Sequence, residues 1–168
     1  GNVARNIASL GARCVFLGVV GDDAEGRTIK SKLSTTKRIV PHLVVDRSRP
    51  TTRKLRFVSK HHSTHLLRAD WEQAATIDAK IEAQLIKRAL AALRRVDAVV
   101  LSDYAKGTLT RPLIRVVIER ARKLKIPVVV DPKGTDFSIY RGATIVTPNR
   151  KEQGDATGMP IASIAQVA

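Results

Sequence analysis

The sequence predicts an α/β protein built mainly on parallel strands. Three observations carry that reading. Residues 97–101, 128–130 and 143–146 are short, nearly continuous apolar runs, the pattern of strands buried on both faces. Between the first two lies a helical run, 110–125, with Pro112 in its first turn, and strands joined by such crossovers lie parallel. Hydrophobic residues make up 43% of the 168 and charged residues 27%, a balance that excludes a disordered tail.

The elements follow in order. Val3, Ile7 and Leu10 share one face of a first helix that Gly11 stops. Residues 13–20 are β-rich and run through Gly18 to Gly21, after which Asp22 or Asp23 caps a helix reaching about Leu33. Residues 38–45, punctuated by Pro41 and Asp46, form a strand. Residues 51–60 alternate with Leu55 and Phe57 on one face, and 66–69 return beyond a polar tip of His61, His62, Ser63 and Thr64, a hairpin. From Thr76 the period turns helical, with Ile77, Ile81, Leu85, Ile86, Leu90 and Leu93 as an apolar stripe beside Lys80, Lys87 and Arg88. Ile164 and Val167 suggest the first turns of another helix at 161–168. Gly1-Asn2 leads directly into helix, so both ends are expected to be cut.

The charge narrows the partner. Thirty Lys and Arg against 15 Asp and Glu leave +15, which points to phosphates, nucleic acid or anionic lipid. Aromatics at 4% and the lack of any nucleic-acid motif argue against nucleic acid, and no apolar stretch approaches the ~20 residues of a membrane span. The one cysteine, Cys14, lies in an apolar run and is expected to be a small buried hydrophobe in a reducing cytoplasm. His61, His62 and His65 have no carboxylate or cysteine beside them and read as a solvated hairpin tip, not a metal site; Trp71 reads as a packing residue where the hairpin ends.

Three parallel strands end in polar residues: Ser102-Asp103, Asp131-Pro132-Lys133 and Thr147-Pro148-Asn149. Ligands of open α/β sheets bind outside the carboxyl ends of the strands, so these turns should converge on one crevice. Such residues also serve as plain turn formers. Asn149-Arg150-Lys151-Glu152 opens the next helix, whose N–H groups suit phosphate, while the Asn-x-x-Glu spacing equally fits a purely structural capping box.

Gly1-Asn2-Val3-Ala4 with Leu10-Gly11, then Gly18, Gly21-Asp22-Asp23 and Gly26, resembles the N-terminal signature of the ribokinase-like sugar kinases, the pfkB family. Within it, Arg49-Pro50-Thr51-Thr52, Lys54-Leu55-Arg56, Leu67-Arg68, the run from Leu101 to Gly107, the run from Asp131 to Phe137 and Tyr140-Arg141-Gly142-Ala143-Thr144 are similar to the heptose 7-phosphate kinases joined to an adenylyltransferase. The resemblance implies a three-layer sandwich with a small β lid at about 51–69, the chain being a partial kinase domain. It implies ATP and Mg²⁺ as cofactors and transfer to the anomeric hydroxyl of D-glycero-β-D-manno-heptose 7-phosphate, a step toward ADP-heptose and lipopolysaccharide core. It places Asn2 on the sugar, Asn149, Arg150, Lys151 and Glu152 on the nucleotide phosphates, and Glu152 on the Mg²⁺ through water. Asp103 joins the substrate residues, and Lys54, Arg56, Arg68, Lys106 and Lys133 are the cations from which the distal phosphate of the sugar is expected to find its holder. The family's catalytic base lies in a Gly-Ala-Gly-Asp motif that these 168 residues lack, so no catalytic residue is expected here and the chain alone should be inactive. A homodimer through the lid is implied, with no membrane partner. The rival readings are a kinase of another sugar, of the ribokinase or fructose-phosphate type, and a basic binding module without catalysis.

Overall fold

The computed structural model describes residues 1–59 and 64–159, which form two compact units, Gly1–Ile81 and Glu82–Ala168. The hairpin tip at 60–63, with His61 and His62, and the helix expected at 161–168 lie outside the described residues.

The first unit begins with α1 (Asn2–Ser9), β1 (Cys14–Val20), α2 (Ala24–Thr35) and β2 (Ile39–Val45). The strands pair in parallel from Cys14 opposite Ile39 to Val20 opposite Val45, with α2 as the crossover. Asp23 is the cap of α2, its carboxylate accepting from Gly26 N at 2.7 Å. Ala4, Leu33 and Ile39 form the buried centre, with Ala8, Cys14, Phe16, Ile29 and Leu43 packed against it. The inward face of α1 is thus the Ala4–Ala8 row. Leu10, expected on the inward face, is 87% exposed: it still makes the helical bond to the Asn6 carbonyl, but at 100° per residue it lies on the side of α1 away from Ala4 and Ala8.

The unit continues into an antiparallel hairpin, β3 (Arg53–Val58) and β4 (His65–Trp71), with a bulge between Phe57 and Val58. The first strand starts two residues later than expected because Thr51 is bonded elsewhere, and the second runs to Trp71, whose ring carries the Arg53 guanidinium 5.2 Å from its centroid. Directly opposed residues share a face. One face therefore carries Lys54, Arg56, Arg68 and Asp70, and the other Leu55, Phe57, Leu67, Ala69 and Trp71, with Arg53 over the Trp71 ring.

Asp78 accepts from Ile81 N and starts α3 (Ala79–Ala92), three residues later than the expected onset at Thr76. The second unit then holds β5 (Val99–Ser102), α4 (Arg111–Lys123), β6 (Val128–Asp131), β7 (Ile145–Val146) and α5 (Arg150–Thr157). Its sheet is parallel in the order β5-β6-β7. Thr110 caps α4, and Leu113, Ile114, Val117, Ile118 and Ala121 are buried along it. Among the described residues, one face of the sheet is the more deeply buried. Leu101 and Val130 are neighbours on the buried side, whereas Val100 and Ile145, which flank Val129 on the other, are 43% and 53% exposed.

Candidate active site

The carboxyl ends of β5 and β6 are tied to each other. Ser102 Oγ donates to Asp131 Oδ2 at 3.2 Å, and Asp103 N donates to the Asp131 carbonyl at 2.9 Å. Asp103 is buried. Its Oδ1 accepts from Ala105 N at 2.8 Å, and its Oδ2 accepts from the Tyr140 hydroxyl at 2.6 Å. Tyr140 ends the 3₁₀ segment Phe137–Tyr140 and in turn accepts from Lys133 N at 3.4 Å. Burial and the Asp103 carboxylate push its phenol well above the ordinary range, so it stays a donor at physiological pH.

The same loop carries the network to α5. Lys133 Nζ lies 2.6 Å from Glu152 Oε1, while Glu152 Oε2 accepts from Asn149 N at 2.9 Å and Asn149 Oδ1 accepts from Glu152 N at 2.9 Å. The capping box expected from the spacing is therefore complete. Lys133 and the Asn149 N–H hold the Glu152 carboxyl below the usual glutamate range, and Glu152 raises the Lys133 ammonium. By linkage this contribution is present above about pH 4.3 and is lost as the pH falls through the lowered value.

Of the residues singled out from sequence, Asp103, Lys133, Asn149 and Glu152 are thus joined in one network. Arg150 is exposed, and Lys151 pairs along its own helix with Asp155 at 2.6 Å. Lys106 sits half-buried in the loop after β5, between the left-handed Ala105 and Gly107. In the first unit, Asn2 opens α1 and borders an open concavity with Arg5, Asn6, Lys37 and Arg38. On the charged hairpin face, Lys54 bonds Asp70 and Glu72 at 3.2 and 3.1 Å and Arg68 bonds Asp70 at 2.6 Å. Arg56 lies opposite Arg68 and, among the described residues, no ion pair engages it. No cluster of three or more metal-ligating side chains occurs among the described residues.

Tyr140 was not anticipated as a site residue, since a single aromatic in a short irregular segment has no period to betray it. Tyr140→Phe should leave a buried carboxylate oxygen without its donor and lower stability by about 1–3 kcal/mol in urea denaturation. An unchanged midpoint would mean that the Asp103 bond contributes nothing net.

The pfkB family carbohydrate kinase pattern matches residues 1–168. The chain belongs to this family. It is 60% identical over all 168 residues to the Bifunctional protein HldE of Rhodopseudomonas palustris strain BisA53 and 58% identical over 157 residues, 94% of this chain, to that of Bradyrhizobium diazoefficiens. The chain spans about a third of the length of these curated relatives, 34% and 32%. Among solved structures, Phosphofructokinase-2 from Escherichia coli in complex with potassium superposes with a TM-score of 0.76 at 21% identity, covering 99% of this chain and 53% of that one. The PfkB protein from Polaromonas sp. JS666 gives 0.67 at 17%, covering 95% and 57%. The α/β architecture with parallel strands is thus that of the ribokinase-like kinases. No helix among the described residues is long and apolar enough to cross a membrane.

Proposed function

We propose that this chain belongs to an ATP-dependent kinase that phosphorylates D-glycero-β-D-manno-heptose 7-phosphate at the anomeric hydroxyl, giving the 1,7-bisphosphate on the way to ADP-heptose and lipopolysaccharide core in the cytoplasm. The observation that carries this reading is the match to bifunctional HldE proteins at up to 60% along every residue, against 21% or less for the phosphofructokinase structures. The runs at 101–107 and 131–137, which resemble those of the heptose kinases, lie within it.

In this reading the start of α5 receives the nucleotide phosphates, where backbone N–H groups and the positive helix end favour negative charge. Lys133 adds a cation beside it. Glu152 presents one largely buried carboxylate, a donor set that fits a hydrated Mg²⁺, since that ion keeps most of its water and needs one or two carboxylates plus substrate phosphates. When bound, the ion would neutralise charge on the transferring phosphoryl group. None of Asp103, Asp131 and Glu152 is assigned as the base that takes the hydroxyl proton; in this reading that role belongs to the family's Gly-Ala-Gly-Asp motif. The hairpin serves as the lid that excludes water as a competing acceptor. Its charged face suits the sugar phosphate, and its apolar face, with Phe57 46%, Leu67 60% and Trp71 49% exposed, suits pairing with a second copy.

The test is ADP release by the active kinase across a panel of sugars with ATP and Mg²⁺. Heptose 7-phosphate should exceed ribose and fructose 6-phosphate by at least about tenfold in kcat/KM, the discrimination expected of a site built around a second phosphate. One related fold, Phosphofructokinase-2, is known in complex with fructose-6-phosphate. Equal or better turnover of that sugar would overturn the heptose assignment.

A further inference from the structure

The hairpin Arg53–Trp71 hangs on two stems, residues 46–52 and 72–78, and one side chain grips both. Arg49 Nε bonds Asp46 Oδ2 at 2.9 Å, at the end of β2, and its Nη2 donates to the Ala75 carbonyl at 2.7 Å, on the returning stem. Both members of the ion pair are withdrawn from solvent, with the Arg49 side chain 8% and that of Asp46 2% exposed. Asp46 is itself fixed. Its N–H donates to the Val20 carbonyl at 2.8 Å, and its Oδ1 accepts from Ser48 N and Oγ at 2.9 and 2.6 Å.

A second attachment holds the outgoing stem. Asp23 accepts from Thr51 N and Oγ1, both at 2.7 Å, and Thr51 Oγ1 accepts from Gly21 N at 2.8 Å. The fit leaves no slack: a Cβ on Gly21 would stand 2.6 Å from the Arg49 carbonyl, and one on Gly26 2.5 Å from the Gly21 carbonyl. Apart from these contacts and an exposed ion pair of Arg53 with Glu25 of α2 at 3.2 Å, the described hairpin is a two-stranded ribbon, which alone is only marginally stable in water. Its orientation therefore depends on its root.

We propose that Arg49 is the positioning residue of the hairpin's hinge, coupling the end of β2 to the returning stem so that the hairpin moves as one body about a fixed root. A planar guanidinium is required because two acceptors lying in different directions must be held at once, which a single ammonium does poorly. The functional half of the inference rests on the hairpin being the lid of the proposed kinase; the mechanical half does not.

Arg49→Lys in the active kinase tests both halves. Amide exchange in 53–59 and 72–78 should rise at least about tenfold while β1, β2, β5 and β6 are unchanged, and KM for the sugar phosphate should rise at least about fivefold with KM for ATP within about twofold. A rise spread evenly over the first unit, or no rise, would overturn the hinge. A local rise with an unaltered sugar KM would support the hinge and overturn the lid reading. Should Arg49→Lys fail to fold, Asp46→Asn keeps the side-chain shape and weakens the same grip, and it carries the same expectations.

Discussion

Glu152→Gln in the active kinase is expected to lower kcat by about 10²-fold, the scale on which loss of one electrostatic partner of the transition state is felt. The substitution is chosen because a glutamine oxygen can still accept from Asn149 N and keep the capping box, while the charge that faces Lys133 is removed. Helix capping and phosphate or metal handling are thereby separated. If the carboxylate only caps α5, kcat at saturating Mg²⁺ will be unchanged. If it helps to hold the hydrated cation and the phosphates, kcat falls while thermal stability moves little.

Arg56→Ala should raise KM for the sugar phosphate by roughly 10- to 100-fold and leave KM for ATP nearly constant. That range corresponds to the ~1.5–3 kcal/mol of a hydrogen bond to a charged group. Three lid cations were candidates from the sequence, and the ion pairs rank them. Lys54 and Arg68 are already engaged by Asp70 and Glu72, so part of any gain from phosphate would be offset by giving up those partners. Arg56 faces Arg68 directly, an opposition of like charges that a bound anion would relieve. Steady-state kinetics on Lys54→Ala, Arg56→Ala and Arg68→Ala side by side decide the matter; a larger effect at Lys54 than at Arg56 would reverse the ranking.

Much of this architecture is legible in the sequence where local rules act. The caps at Asp23 and Asn149 are short-range bonds between a side chain and a nearby N–H, so spacing narrows the first to Asp22 or Asp23 and gives the second outright. The crossovers follow from apolar runs alternating with helical periods. What escapes is tertiary. No local spacing links Asp46 and Arg49 to residue 75, yet they form a pair withdrawn from solvent, and the Arg49 guanidinium also donates to the Ala75 carbonyl. Tyr140 is found only when Asp103, 37 residues earlier, is seen beneath its hydroxyl. Leu10 misleads for the opposite reason: an apolar residue at helical spacing looks inward-facing, but the row that packs is Ala4 and Ala8, on the other side of α1.

The order of strands in each parallel sheet repeats their order along the chain, β1 then β2, and β5, β6, β7. The first crossover is complete by Val45, and the polar groups that root the hairpin, Asp23 with Thr51 and Asp46 with Arg49, all find partners before Ile81. Ribosomes extend chains at about 5–20 residues per second, slowly compared with the closing of short loops. For the bonds named here, this unit thus needs nothing synthesised after Ile81. It can assemble during translation, which shortens the time its apolar strands stand uncovered beside neighbouring nascent chains.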